Sequence, residues 1–194
     1  MRNHEKSLGP SFKKVVYCTV PGSVSLIQDT IYDLKKIIPD VIVYEGVFDA
    51  NLLQDPSDCL IIIDDQFEAC SNSKSFNMML SFGRRKLNCN FFIVTQNYFL
   101  NNSLSLRRNT NYTYVMNSFD KTLLSSMSRT LLNNSATIND AFQILEKQNL
   151  PYYDQWLLID HHNASPFPMT LRIRGPNYFT KKYPQFFVQK CMYD

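Results

Sequence analysis

The sequence predicts an α/β fold built on a mainly parallel sheet, and three observations carry that expectation. Short β-branched or aliphatic runs recur at residues 14–20, 41–44, 59–63 and 90–95. Segments with helical apolar spacing separate them. The runs at 59–63 and 90–95 are apolar nearly throughout, which suits strands covered on both faces. Strands alternating with helices imply parallel pairing, and in such sheets ligands bind at the carboxyl ends of the strands.

Each element has a local reason. Residues 14–20 end at Pro21-Gly22, a turn signal. Residues 25–38 carry Leu26, Ile27, Ile31, Leu34, Ile37 and Ile38 at helical spacing, with Pro39 as the stop. The strand at 41–44 is followed by Gly46, and residues 49–53 read as a helical turn. Residues 75–86 form a helix expected to turn Phe76, Met79, Leu80 and Phe82 inward. Residues 112–116 read as a strand after a polar loop. Residues 120–132 are helical, with Asp120 near the N-terminus where the macrodipole favours an acid. Residues 138–147 form a further helix that Thr137 or Asn139 can cap. Residues 155–160 and 169–174 read as strands joined in a hairpin.

Composition narrows the class. The chain has 194 residues, 44% apolar and 19% charged, too apolar for a disordered chain and enough for one compact domain. No apolar run approaches the roughly 20 residues that span a bilayer. The first residues, MRNHEKSLGPSF, lack the apolar core of a signal peptide. The five cysteines form no C-x-x-C pair, which argues against a zinc ribbon or a disulfide framework and for a reducing intracellular compartment. The formal net charge of +3 hides an uneven layout. Residues 1–68 sum to −5, residues 69–119 to +6 and residues 120–194 to +2. The middle block holds Lys74, Arg84, Arg85, Lys86, Arg107 and Arg108 and no acid. It can contact phosphates or form a basic solvated face.

Two strand ends carry candidate chemistry. Leu60-Ile61-Ile62-Ile63 runs into Asp64 and Asp65, the pattern of a Walker B strand. A buried strand fixes the backbone, the first acid can hold Mg²⁺ beside phosphates, and the second can orient or deprotonate water. Two acids opening a loop give the same pattern. Phe91 to Val94 runs into Thr95, Gln96 and Asn97, polar groups placed to meet a γ-phosphate or to form an ordinary turn. Arg84, Arg85, Arg107 and Arg108 can stabilise transition-state charge across a subunit interface, bind DNA phosphate, or sit on the surface. His161-His162 has no evident third ligand, so a metal site there is disfavoured. Trp156 and the aromatic tail read as packing residues.

In order, these pieces resemble the FtsK/HerA branch of P-loop NTPases. They resemble most closely the poxvirus-type viral genome-packaging ATPases and their relatives in Maverick/Polinton elements, adintoviruses and virophages. The matching stretches are KKVVYCTVPGS, PDVIVYEGVFD, CLIIIDDQFEA, GRRKLNCNFFIVTQNYF, the SLRRNTNYTYVMNSFDKTLLSSMSRTLL segment, and INDAFQILEKQNLPYYDQWLLIDHHNASPFPMTLRIR. The similarity covers residues 13–175, between a polar lead at 1–12 and an aromatic, basic tail at 176–194.

The resemblance implies a three-layer RecA-like fold and an ATP-driven translocase that packages double-stranded DNA. It also implies ATP and Mg²⁺ as cofactors, a ring of identical subunits, a viral capsid as partner, and a location in the host cytoplasm or nucleus or with the virion. By it, Asp64 is the Mg²⁺-organising acid, Asp65 the adjacent acid and Gln96 the polar sensor. Thr95 and Asn97 lie beside the nucleotide, and Glu68 is an auxiliary acid. Arg84, Arg85, Arg107 and Arg108 are the candidates for the trans-acting arginine.

The family's phosphate loop, G-x-x-x-x-G-K-[ST], is not in the sequence. The five glycines are followed by Pro10, Ser23, Val47, Arg84 and Pro176. In the family that loop, its strand and its helix lie just upstream of KKVVYC, and the strand sits beside the TQN strand. The expectation is therefore a domain without its phosphate-binding strand and first helix, open at the sheet beside residues 91–95. A fragment of a longer ATPase or a decayed copy, unable to hydrolyse ATP alone, is favoured. The alternative is a non-catalytic module that binds nucleic acid or a partner subunit.

Overall fold

A computed structural model describes residues 12–53, 55, 57–96, 98–99, 106, 109–132, 136–147, 155–161 and 170–174. The side chains of residues 52, 83–87 and 170–174 lie outside that description, as do the polar lead up to residue 11 and the tail from residue 175. The chain divides into two compact units, Met1–Asn109 and Thr110–Asp194.

The first unit is an α/β layer structure on a four-stranded, all-parallel sheet. Its strands are β1 (Lys14–Thr19), β2 (Asp40–Glu45), β3 (Cys59–Asp64) and β4 (Asn90–Val94), in the order β2-β1-β3-β4. The central strands β1 and β3 are buried along nearly their whole length, whereas β2 and β4 alternate. Strand β4 departs from the expectation for residues 90–95, which are apolar nearly throughout: Phe92 and Val94 are exposed, because among the described residues β4 pairs with β3 alone.

Period-2 alternation sends the side chains of each central strand into two cores. Val15, Tyr17, Leu60 and Ile62 face α1 (Gln28–Ile37), which contributes Leu34 and is followed by the buried Ile38. Val16, Cys18, Ile61 and Ile63 face the opposite side. There α2 (Phe67–Ser71) and α3 (Lys74–Leu87) supply Phe67, Cys70 and Phe76, and Phe48 joins them from the loop after β2. The helix expected over residues 25–38 is a 3₁₀ turn, Val24–Ile27, running into α1. It stops at Ile38, whose extended backbone is what a following proline demands. The turn expected at residues 49–53 is a 3₁₀ turn, Ala50–Leu52, with Asp49 accepting the Asn51 N–H. The short helix α2 has no counterpart in the sequence reading.

One inward assignment fails. Phe76 is fully buried and Met79 and Leu80 pack against the same core, but Phe82 is 55% exposed. At 100° per residue, position 82 lies about 240° around the helix from position 76, off the stripe that 76, 79 and 80 define.

Four cysteines, Cys18, Cys59, Cys70 and Cys89, are free and buried. Burial pushes the Cys18 thiol up to about 12, so it remains a neutral thiol that packs as a small hydrophobe. Cys191 lies outside the described residues.

The second unit is a three-stranded antiparallel sheet, β5 (Tyr112–Met116), β6 (Trp156–Asp160) and β7 (Thr170–Arg174), in that order. Its helices are α4 (Lys121–Leu132) and α5 (Thr137–Lys147). The carboxylate of Asp120 accepts the Leu123 N–H at 2.9 Å and so caps α4. Among the described residues, neither Thr137 nor Asn139 accepts a backbone N–H at the start of α5. Instead Ser128 on α4 accepts the Ile138 N–H at 3.2 Å, while Asn139 donates to Ser125 at 2.8 Å. Trp156 is half-buried and its ring lies 5.6 Å from that of Tyr114. Among the described residues, no helix is long and apolar enough to cross a membrane.

Candidate functional site

Parallel pairing brings the carboxyl ends of all four strands of the first sheet to one edge. The register sets Ile63 beside Ile93 and Asp64 beside Val94. Asp64 is the last residue of β3 and Asp65 is the first beyond it. Asp64 continues the alternation of Leu60 and Ile62, so its carboxylate emerges on the α1 face of the sheet. There the Tyr17 hydroxyl, from β1, donates to Asp64 Oδ2 at 2.7 Å. Burial, reinforced by the hydrogen bond and charge of Asp64, pushes the Tyr17 phenol well above its ordinary value. Tyr17 therefore stays protonated and remains a donor.

Asp65 is exposed and turns the chain with φ of 53°, in the left-handed region where Asp is among the better-tolerated residues. Its N–H donates to the Val94 carbonyl at 3.1 Å, which ties the two strand ends together. The Gln96 amide donates to Asp65 Oδ2 at 3.4 Å. The acidic pair and the amide expected at the next strand end are thus brought to one place. Asp65→Asn should change stability by no more than about 0.5 kcal/mol, whereas Asp65→Val should cost about 1–2 kcal/mol, because a β-branched residue is strained at this φ. Urea denaturation of the two variants measures the difference.

The turn after β1 completes this edge. Pro21 precedes Gly22, whose φ is +83°, and the Ser23 N–H closes the turn on the Val20 carbonyl at 3.1 Å, as in a type II turn. The Gly22 N–H donates to Glu45 Oε1 at 3.0 Å, and the buried Thr19 hydroxyl meets the Ser23 hydroxyl at 2.7 Å. These contacts, and Tyr17, were not singled out in the sequence. Only the Pro-Gly signal pointed to the turn.

The remaining expected residues fall elsewhere. Glu68 is exposed in the first turn of α2, and Thr95 is half-buried directly after β4. Helix α3 ends at Leu87, just before β4 begins at Asn90. Arg84 and Arg85 therefore lie on its last turns, toward the amino ends of the strands and away from Asp64. Their side chains lie outside the described residues, as do Asn97, Arg107, Arg108 and His162 altogether. The amino edge is bound by other contacts: Lys13 pairs with Asp58 at 2.6 Å, and Asn88 donates to Asp58 at 2.6 Å.

His161 lies just after β6 and belongs to the second unit. Its Nε2 lies 2.9 Å from the Thr113 hydroxyl. Burial holds its pKa below the ordinary 6.5. A cationic group with a depressed folded pKa binds fewer protons folded than unfolded, so stability falls as pH drops below about 6.5. The melting temperature should decline between pH 7.5 and 5.5, and His161→Gln should flatten that decline. Among the described residues, no group of three His, Cys, Asp or Glu side chains is placed to hold a metal ion. No protein-family model, curated protein or solved structure matches the chain.

Proposed function

We propose that the chain carries the acidic half of a P-loop NTPase site of the genome-packaging type and does not hydrolyse ATP by itself. The carrying observation is the pair Asp64-Asp65 at the carboxyl end of a buried parallel strand, with Gln96 from the next strand end on Asp65. Mg²⁺ at phosphate sites takes one or two carboxylates and completes its shell with water and phosphate oxygens. Asp64 fits one such position, because Tyr17 occupies Oδ2 and Oδ1 is left for the ion. Bound there, the ion would offset phosphate charge. Asp65 and Gln96 would hold and orient the attacking water between them.

The phosphate grip does not fit the residues present, since no Gly-Lys dipeptide occurs anywhere in the sequence. The resemblance puts that loop's strand next to β4, which pairs with β3 alone among the described residues. Double-stranded DNA, a ring of like subunits and a capsid are the partners this reading implies. The test compares the chain with a version extended upstream by a strand, a Gly-Lys-Ser/Thr loop and a helix. The chain alone should show background turnover, and the extended form should bind and hydrolyse ATP. Robust turnover by the chain alone, or no nucleotide binding by the extended form, rejects the proposal.

The acid-free block of residues 69–119 favours a second reading, a non-catalytic module that binds nucleic acid or a partner subunit. On that reading the isolated chain binds duplex DNA with an affinity that falls steeply between about 50 and 200 mM salt.

A further inference from the structure

Cys59 and Cys89 are fully buried, and both side chains enter the core on the α2 and α3 side of the parallel sheet. Cys59 opens β3, and Cys89 directly precedes β4. One position on, Leu60 and Asn90 form the first pair of the β3–β4 ladder. The two cysteines therefore lie side by side. Neighbouring strands run about 4.8 Å apart, within the roughly 4.4–6.8 Å that the Cα atoms of a disulfide span. The two thiols are already in hydrogen-bond contact.

Their approach is held from the surface. Each cysteine follows a residue in the left-handed region, Asp58 with φ of 52° and Asn88 with φ of 48°. Asn88 donates to Asp58 Oδ1 at 2.6 Å, and Lys13 pairs with Asp58 Oδ2 at 2.6 Å. This clasp reaches solvent, while the thiols beneath it do not. The two thiols are not equivalent. Hydrogen bonding from Cys89, opposed by burial and aided by the Lys14 ammonium, holds the Cys59 thiol below its ordinary value. Lys14 stands opposite Cys59 in the β1–β3 register. The same bond, with burial, pushes the Cys89 thiol up. Burial also raises Cys18 and Cys70, in the same core. Nucleophilic character therefore gathers at Cys59.

We propose that Cys59 and Cys89 are a peroxide-reactive dithiol, with Cys59 as the attacking thiol and Cys89 as the resolving one. Cys59 sulfur attacks one oxygen of hydrogen peroxide, the O–O bond breaks, and a sulfenic acid and one water result. Cys89 sulfur then attacks the Cys59 sulfur, the S–O bond breaks, and a second water leaves with the Cys89 proton. Two electrons pass from the thiols to the peroxide, giving one disulfide and two waters. Peroxide is small enough to enter through local opening of the clasp. The disulfide ties the amino ends of β3 and β4 together, and excess thiol restores the reduced pair. In a reducing compartment such a bond is of the transient, redox-sensing kind. It forms at the opposite end of β3 from Asp64 and is independent of nucleotide chemistry there.

Peptide mapping of the reduced full chain after hydrogen peroxide, without reductant, tests this. Cys59 and Cys89 should appear in one linked pair of peptides, two hydrogens lighter than their sum, and dithiothreitol should reverse the link. The linked chain should melt at least about 5 °C above the reduced one. Cys89→Ser should stop at a sulfenic acid on Cys59 that dimedone captures. Cys59→Ser should lower dimedone capture at Cys89 by about tenfold or more relative to that. The alanine variants serve if a serine variant does not fold. Absence of the link under native conditions, or its appearance only in urea, overturns the proposal. So does preferential linkage of Cys18, Cys70 or Cys191, or a sulfenic acid that forms first on Cys89.

Discussion

Phe76→Ala is expected to lower the stability of the first unit by about 3–5 kcal/mol, the usual cost of emptying a buried aromatic site. Phe76 is fully buried on α3. Its ring meets Phe48, Phe67 and Phe91 edge-to-face at 6.1, 6.3 and 5.8 Å. Those partners come from the loop after β2, from α2 and from β4, so the ring sits at the junction of three segments, of which Phe48 and Phe91 also meet directly at 6.4 Å. Edge-to-face pairs add roughly 0.5–1.5 kcal/mol each beyond area burial. The site cannot collapse readily, because Phe91 is fixed by the β3–β4 ladder. A small domain holds only about 5–15 kcal/mol in total, so the variant should sit near its folding threshold. Phe82→Ala, on the same helix but exposed, should cost no more than about 0.5 kcal/mol. Urea midpoints read both, with an unchanged slope showing that the denatured state is not altered. Equal losses at the two positions would mean that the buried face of α3 is misassigned.

The contrast between these two phenylalanines shows where sequence reading runs out. Apolar spacing finds a helix over residues 74–87 readily, but it does not say where the buried stripe ends. Phe82 is apolar and one position beyond the edge. The central strand β3 was legible because continuous burial demands continuous apolarity, which Cys59 to Ile63 meets; the similarly apolar run at 90–95 forms a strand with alternate residues exposed, so apolarity alone does not mark burial on both faces. The acids at the end of β3 were legible for the same reason, since a charge directly after such a run must lie at the sheet's rim. The α/β class with a parallel sheet follows from these strands.

Contacts across long sequence separations were not legible. The Tyr17–Asp64 bond spans 47 positions and depends on which face each residue takes in a register the sequence does not display. The capping of α5 by Ser128 is likewise a helix–helix contact, so local capping residues pointed to the wrong acceptor. The separate antiparallel sheet was half visible as the hairpin at residues 155–174. Its third member, β5, carried no sign of which strand it would join.

On a chain supplied with the upstream phosphate loop, Asp64→Asn is expected to lower kcat by about 10²–10³-fold, the scale of losing one preorganised charge-stabilising group. Tyr17→Phe should lower it by less. A hydrogen bond to a charged group contributes about 1.5–3 kcal/mol, so roughly ten- to hundredfold is the most that this donor can supply. Tyr17 reaches the chemistry only through the Asp64 carboxylate, holding Oδ2 and so aiming Oδ1. The two effects should therefore not add, and the double variant should be no slower than Asp64→Asn alone. Because the Tyr17 phenol is held above its ordinary value, its deprotonation should not limit turnover between pH 7 and 9. Steady-state kinetics of the four proteins, with melting temperatures beside them, decides the point. If Tyr17→Phe slows the Asp64→Asn enzyme as much as it slows the parent, its role is in the fold of β1 and not in the carboxylate. If Asp64→Asn leaves kcat intact, the acid at the end of β3 is an ordinary loop residue and the nucleotide site lies elsewhere.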